Sequence, residues 1–314
     1  MDLEVQILRL FLKVFSIFFL SAYFFYVLAI KDISLKKNYI FINENSNYNK
    51  VIENNLIDNS LNIYIYKLVL KLHLLLDNKI HFGKFVLNNK KNFLHFINVI
   101  SFPSNVYEKF TIIGGWSKND LNLNLKKNFK NYEELDFYQV LADTYFYNYN
   151  SFDNLKKNID STLYKAKLKF DSNILSKKFS FKEIIVIGSL LEKEGLDDND
   201  KKNIYSVIIN RLNQNMKLQI DATVIYSLTL GAKDLERNLT YEDLKLKSKH
   251  NTYYIYGLPP EPISYVSTNT IELILENYKS KYLFYFFNTL ENKHIFSVNY
   301  DNHLNKLNEY RSKK

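Results

Sequence analysis

The stretch Ser180-Phe-Lys-Glu-Ile-Ile-Val-Ile-Gly-Ser-Leu-Leu-Glu-Lys-Glu-Gly195 decides how this chain is read. Ser180 followed three residues later by Glu183 is the signature of a capping box, which opens a helix. Gly195 stands where a helix commonly ends in a left-handed residue. Between them Ile184, Ile187 and Leu191 recur at helical spacing, and Ile185, Val186 and Leu190 widen the stripe. At about 100° per residue, Glu194 lies roughly 20° from the centre of that stripe and Glu192 roughly 140° from it. Glu194 is therefore expected to face the rest of the fold. A carboxyl removed from water there holds its proton toward neutral pH, as a general acid must, and the helix C-terminus pushes the same way. The plainer alternative is a salt bridge from Lys182 or Lys193.

Composition sets the bounds. The 314 residues suffice for one large or two modest domains, and 46% hydrophobic residues supply a core. Gly and Pro are scarce, at 7 and 4, so their clusters are informative. The net charge of +9 is spread along the chain without a dense basic block interleaved with aromatics, so no nucleic-acid partner is expected. With no cysteine, disulfide and thiolate chemistry are excluded.

Val14 to Ile30 is an uncharged, almost wholly apolar run. Leu10 to Leu12 extend it and Lys13 can snorkel, so residues 10–30 are expected to form a transmembrane helix behind a short segment, 1–9. The run is long, aromatic-rich and lacks a small-residue exit, which favours an uncleaved anchor over a signal peptide. Charge does not settle its orientation, because Arg9 and Lys13 on one side face Lys31, Lys36 and Lys37 on the other.

Short elements then alternate. Strands are predicted at Tyr39 to Asn43 and Ile80 to Leu87, and helices at Asn47 to Asn54, Leu61 to Leu75 and Asn92 to Ile100. Together they make a small α+β module over 38–102. His73, His81 and His95 form no ligand spacing. Phe110 to Trp116 reads as a strand and turn, Ser117 as an N-cap, and Ser151 to Phe170 as a helix. Asp197 to Asp200 is an acidic turn that can cap a helix over Lys201 to Asn213. Leu218 to Ile220 reads as a short strand, with Asp221 capping a helix from Ala222. Three of the four prolines fall in Asn251 to Pro262, which makes that loop stiff and suited to the wall of a groove. A helix near Asn269 to Tyr278, a hairpin from Tyr282 to Asn288 and His294 to Val298, and a last helix complete the chain.

These residues resemble the endolytic murein transglycosylases of the YceG-like, or MltG, family. The resemblance is carried by Gly-Ser-Leu-Leu-Glu192-Lys-Glu194-Gly, Val207-Ile-Ile-Asn210-Arg211-Leu and Leu218-Gln219. It continues through Asp221-Ala-Thr223-Val-Ile-Tyr226, Asn251-Thr252-Tyr253, Gly257-Leu-Pro-Pro260, Tyr282-Leu-Phe-Tyr-Phe and His294-Ile-Phe296-Ser297. Leu141-Ala-Asp143-Thr144-Tyr145 is similar to the family's Phe-Pro-Asp-Thr-Tyr element.

The resemblance implies an α+β protein with one transmembrane helix, a LysM-like module over 38–102 and a catalytic domain over 103–314. It implies a single-pass protein of the inner (plasma) membrane, with the short segment 1–9 in the cytoplasm and its C-terminal part outside the cytoplasm. Its partner would be peptidoglycan, cut between N-acetylmuramic acid and N-acetylglucosamine to leave 1,6-anhydro ends, beside peptidoglycan synthases. No cofactor or metal is implied. The family's catalytic glutamate, the second of its Glu-Lys-Glu motif, maps onto Glu194. Gln219, Asp221, Thr223, Asn251, Tyr253 and His294 are the candidates for orienting glycan or Glu194, with Glu192 as a supporting acid. The chain departs from the family at Ala222, where proline is usual, at Glu261, where glycine is usual, and at Tyr265-Val-Ser and Asn302-His303-Leu304. A wall-binding protein of the same fold without turnover, or a hydrolase using Glu194 with Asp221 or Glu192, are the alternatives.

Overall fold

A computed structural model of the chain describes residues 2–43, 45–88, 91–148, 152–232 and 235–314. It divides into two compact units, residues 1–108 with 147–151, and residues 109–146 with 152–314.

The first unit begins with helix α1 (Asp2–Phe25), which continues into a wider turn over Tyr26–Ile30. Val5–Ile30 is long and apolar enough to cross a membrane. Then follow β1 (Ser34–Leu35), β2 (Ile40–Ile42), α2 (Tyr48–Asn55), β3 (Leu56–Ile57), α3 (Ser60–Leu75), β4 (Gly83–Phe85) and α4 (Phe93–Ile100). Asparagine caps each of the helices α2, α3 and α4: Asn47, Asn59 and Asn92 accept the N–H groups of Lys50, Asn62 and His95. The core gathers Ile40, Val51, Tyr66, Leu70, Phe85, Phe93 and Phe96, with Tyr66 and Phe93 stacked at 4.2 Å. Val27 and Leu28 belong to it, so one side of the last turn of the apolar run packs into the module while Tyr26 and Ile30 stay exposed.

β5 (Tyr107–Thr111) begins in the first unit and leads in the second to α5 (Lys118–Asn128), which starts in a complete capping box between Ser117 and Asp120. β6 (Leu141–Ala142), β7 (Thr144–Asn148) and α6 (Phe152–Asp171) follow. Ser151, expected to open α6, lies outside the described residues. Next come α7 (Phe181–Glu194), α8 (Asp198–Asn213), α9 (Asp221–Thr229), the short α10 (Tyr241–Leu244), β8 (Val266–Ser267) and α11 (Thr268–Leu275). The hairpin β9 (Phe284–Asn288) and β10 (Lys293–Ser297) pairs antiparallel, and α12 (Tyr300–Lys313) ends the chain.

Helix α7 is the axis of this unit. Every residue from Ile184 to Leu191 is buried, because α6, α8, α9, α11 and β8 surround it. The capping box between Ser180 and Glu183 forms at its start. Its end corrects the sequence expectation, since Gly195 is extended (φ −78°), not left-handed. The glycine is needed there for space: a Cβ would stand 2.3 Å from Lys201 Cγ. Leu218 to Ile220 forms no strand, because Gln219 takes φ +53° and turns the chain into α9. Asp221 is the first residue of α9, and Ile220 occupies the cap position.

Two side chains of α8, buried Arg211 and half-buried Asn210, place the elements around the end of α7. Arg211 on α8 gives its Nε–H to the carbonyl of Leu283 at 2.7 Å, and Nη1 to those of Leu218 and Lys217 at 2.7 and 3.3 Å. Asn210 donates to the carbonyls of Ser280 and Tyr282 at 2.9 and 2.8 Å. These bonds hold the start of the hairpin and the entry to α9 to one helix.

Gly188 is where β8 crosses α7: a Cβ there would stand 2.5 Å from Val266 Cγ1, and Val266 is buried and stiff. Gly188→Ala gains about 1 kcal/mol of helix propensity but loses about 1–3 kcal/mol to overpacking. Thermal unfolding in detergent is expected to give a lower Tm, restored in part by adding Val266→Ala.

Candidate active site

Glu194 closes α7, and the fold brings three other elements to its carboxyl. The N-terminus of α9 supplies the backbone N–H of Ala222. Strand β9 supplies Tyr285, whose Oη donates to Glu194 Oε2 at 3.2 Å. Strand β10 supplies His294, whose ring when protonated favours the carboxylate. Burial is the largest influence on Glu194 and raises its pKa, and the negative charge of Asp221 raises it further. The Ala222 N–H, Tyr285 and His294 oppose this without reversing it. The carboxyl thus holds its proton more tightly than an exposed glutamate, yet donors stand ready for the anion once the proton leaves. Neither expected salt-bridge lysine is its hydrogen-bond partner: Lys182 lies over the ring of Tyr138 and Lys193 lines a neighbouring cavity.

Asp221 accepts a hydrogen bond from Tyr253 Oη at 2.6 Å. Burial and that carboxylate push the Tyr253 phenol up, so it remains a donor. Tyr285 is likewise raised, by burial and then by Glu194. His294 points Nδ1 at Asp200 Oδ2, 2.8 Å away. That same oxygen accepts the N–H of Leu196 at 3.0 Å. A carboxylate that accepts a backbone N–H leaves His294 Nδ1 as the donor, so Nε2 is the ring nitrogen left for other partners. Tyr285 and Phe287 stand edge-on to the imidazole, each with centroids 5.3 Å away.

The remaining candidates fall into two groups. Thr223 and Asn251 are fully buried and spend their polar atoms on the chain itself. Thr223 Oγ1 bonds the Ile220 carbonyl at 2.6 Å and meets Thr252 Oγ1 at 2.9 Å. Asn251 bonds the carbonyls of Leu244 and Leu246 and accepts the N–H of Tyr253. Both set the loop that presents Asp221 and Tyr253. Gln219 is exposed beside them on its left-handed turn.

Glu192 sits apart from Glu194 on α7, its side chain only 6% exposed. Lys201 Nζ meets Oε2 at 2.8 Å, and the N–H and hydroxyl of Ser267 meet Oε1 at 2.9 and 2.6 Å. Burial pushes its pKa up, but Lys201, Ser267 and Thr270 outweigh that and the net direction is down. It is an ionised carboxylate that ties α7 to α8 and to the start of α11. The angular argument placed Glu192 away from the core stripe; because α7 is enclosed on all sides, that direction is buried as well.

Two recesses adjoin the site. One of about 400 Å³ is lined by Ser117, Lys193, Ala222, Tyr226 and Leu235, and another of about 510 Å³ by Leu196, Asp200, Asn203, His294 and Phe296. The proline-rich loop lines a different hollow, with Leu258 to Pro260 facing Phe179 and Val186 near the start of α7. Asp200 and Tyr285 escaped the sequence reading. Asp200 sits in an acidic run that suggested capping alone, and Tyr285 sits in a run of aromatics without polar alternation. Among the described residues no group of three or more His, Asp or Glu is arranged to hold a metal ion.

The chain is similar in sequence and fold to known proteins. An endolytic murein transglycosylase of Bacillus subtilis is 35% identical over 116 residues, covering 37% of this chain and 31% of that protein. One of Streptococcus pneumoniae is 32% identical over 140 residues, covering 44% of this chain and 25% of that protein. The chain therefore matches a third or less of the length of these relatives. The crystal structure of a YceG-like protein from Listeria monocytogenes has the same fold, with a TM-score of 0.53 and 22% identity over 87% of this chain and the whole of that one. The family model described as YceG-like matches residues 40–309, and the chain belongs to the YceG-like family.

Proposed function

We propose that this protein is a membrane-anchored endolytic lytic transglycosylase that cuts the glycan strands of peptidoglycan. Residues 10–30 form its anchor in the plasma membrane, with 1–9 on the cytoplasmic side and the rest outside. Residues 38–102 form a LysM-like module and 103–314 the catalytic domain. The observation that carries the reading is Glu194: a carboxyl with a raised pKa, ringed by the Ala222 N–H, Tyr285 and His294. The names of the B. subtilis and S. pneumoniae relatives point to the same reaction class.

The reaction follows from one carboxyl with two tasks. Protonated Glu194 gives its proton to the glycosidic oxygen as the bond from the C1 of N-acetylmuramic acid breaks. Positive charge develops at C1 and the ring oxygen, and the carboxylate left behind is steadied by Tyr285 and the Ala222 N–H. That carboxylate then takes the proton of the C6 hydroxyl of the same sugar, whose oxygen closes onto C1. Glu194 ends protonated, as it began, and no water enters the product. The nucleophile is tethered, so its attack needs no second carboxylate to activate water. Asp221, held by Tyr253, acts through charge, keeping Glu194 protonated in the resting site. Asp200 acts through His294, whose ring it orients toward the site.

Glu194→Gln is expected to abolish cleavage of uncrosslinked glycan strands while leaving strand binding intact. Mass spectrometry of the wild-type products should show internal cuts with 1,6-anhydro ends; reducing ends would replace this reading with a hydrolase. The acid must be protonated in the free enzyme, so kcat/KM should fall as pH rises through the Glu194 pKa. Asp221→Asn removes a charge that raises that pKa, and the alkaline limb of the profile should move to lower pH. Asp200→Ala frees His294 and the Leu196 turn. It should cut kcat by about tenfold to a hundredfold with little change in KM, the scale expected of a misplaced catalytic group.

A further inference from the structure

Helix α3 carries apolar residues on two opposite faces. One face is spent on the module core, through Ile65, Tyr66 and Leu70. On the other, Leu61, Tyr64, Leu68, Leu72 and Leu75 are 57%, 66%, 40%, 50% and 68% exposed. At about 100° per residue these five fall within an arc of about 80°, a continuous stripe along the helix. Lys71 flanks it, exposed, and Lys67 beyond it is paired with Glu53. Such a stripe on a water-facing helix is a liability unless something covers it.

The contacts of α3 with the apolar N-terminal run set where this helix stands. Tyr23 Oη donates to Asn62 Oδ1 at 2.9 Å, on the first turn of α3. Tyr23 lies seven residues before the end of the span at Ile30, roughly 10 Å back along the helix. Lys31, just past that end, pairs with Asp58, which also accepts from Tyr66 Oη at 3.0 Å and from Asn62 at 2.9 Å. Asn92 at the head of α4 donates to the Ala29 carbonyl at 2.7 Å, and Val27 and Leu28 are in the module core. The module is thus clasped to the last two turns of the span with no free linker between them. The start of α3 stands beside a residue within the span.

We propose that the outward stripe of α3 lies in the headgroup–acyl boundary of the same bilayer that α1 crosses, a second, interfacial contact of this module with lipid. The inference rests on the reading of α1 as a transmembrane helix. The stripe offers what contact with that boundary needs, apolar side chains with a lysine on the flank and an aromatic hydroxyl among them, while the helix's other face stays in the module core. Two contacts would hold the module in one orientation on the membrane, where α1 alone would leave it free to swivel.

The absence of cysteine from the chain makes the test direct. Tyr64→Cys, Leu68→Cys and Leu72→Cys, each labelled with the fluorophore NBD, sit at exposed positions and leave the core intact. Leu20→Cys in α1 is the reference. Each full-length variant is reconstituted into phosphatidylethanolamine–phosphatidylglycerol vesicles and probed with nitroxide lipids, labelled at the headgroup or in mid-chain, and with aqueous iodide. The expected result is mid-chain quenching at position 20. At 64, 68 and 72 it is blue-shifted emission, at least twofold quenching by the headgroup nitroxide, and protection from iodide. Quenching at 20 with water-like, iodide-accessible emission on α3 overturns the proposal and leaves the anchor standing. Blue-shifted emission on α3 that no lipid nitroxide quenches assigns the stripe to a protein, a second copy or another partner, and also overturns it. No quenching at 20 overturns the anchor reading and this one with it.

Discussion

Arg211 is the interaction on which the site depends. Its guanidinium is buried and among the described residues has no carboxylate partner; backbone carbonyls accept its hydrogen bonds and the ring of Phe284 lies 5.3 Å away. Burying such a charge is costly, and the cost is offset only when its donors are met in good geometry. The carbonyls belong to Leu283, which leads into the strand of Tyr285, and to Lys217 and Leu218, which lead into the helix of Ala222. One side chain therefore sets the spacing between the phenol and the backbone N–H that converge on Glu194. Displacing either segment would strand the charge, so both are held in register.

The two glutamates of the Glu-Lys-Glu run show how environment assigns role. Glu192 and Glu194 are two residues apart on one helix, and both leave bulk water. Glu192 meets Lys201 and the hydroxyl and N–H of Ser267, which stabilise its anion below the usual carboxylate range. Glu194 meets a phenol, one backbone N–H and the negative charge of Asp221, and its proton is held above that range. The pair is thereby split into a structural anion and a candidate acid, the separation that general acid catalysis requires.

The module at the other end of the chain follows a different logic. Its core includes residues of the apolar run itself, and its polar ties, from Tyr23, Ala29 and Lys31, reach the last two turns of that run. An apolar run of this kind has a single composition but two environments. Most of it is exposed in the isolated chain, whereas Val27 and Leu28 are enclosed by protein.

Local signals were legible in the sequence because local chemistry makes them. The capping box of α7 and the N-cap Ser117 rest on contacts three or four residues apart. The angular position of Glu194 on its helix was equally readable, since it needs only the helical period. Tertiary structure decided the rest. Gly195 is demanded by Lys201, not by a left-handed turn. Gln219 takes the left-handed conformation that ends the expected strand, where Thr252 receives its N–H. Thr223 and Asn251 turn inward to hold a loop, because their partners are carbonyls and a hydroxyl brought from elsewhere. The pairing of Asp200 with His294, 94 residues away, and of Tyr285 with Glu194, 91 away, leaves no trace in periodicity. The sequence by itself determined that Ser117 and Ser180 open helices and that Glu194 points into the fold. Which partners meet that carboxyl, and hence whether it keeps its proton, was decided only when distant segments were packed around it, since a pKa is set by neighbours in space.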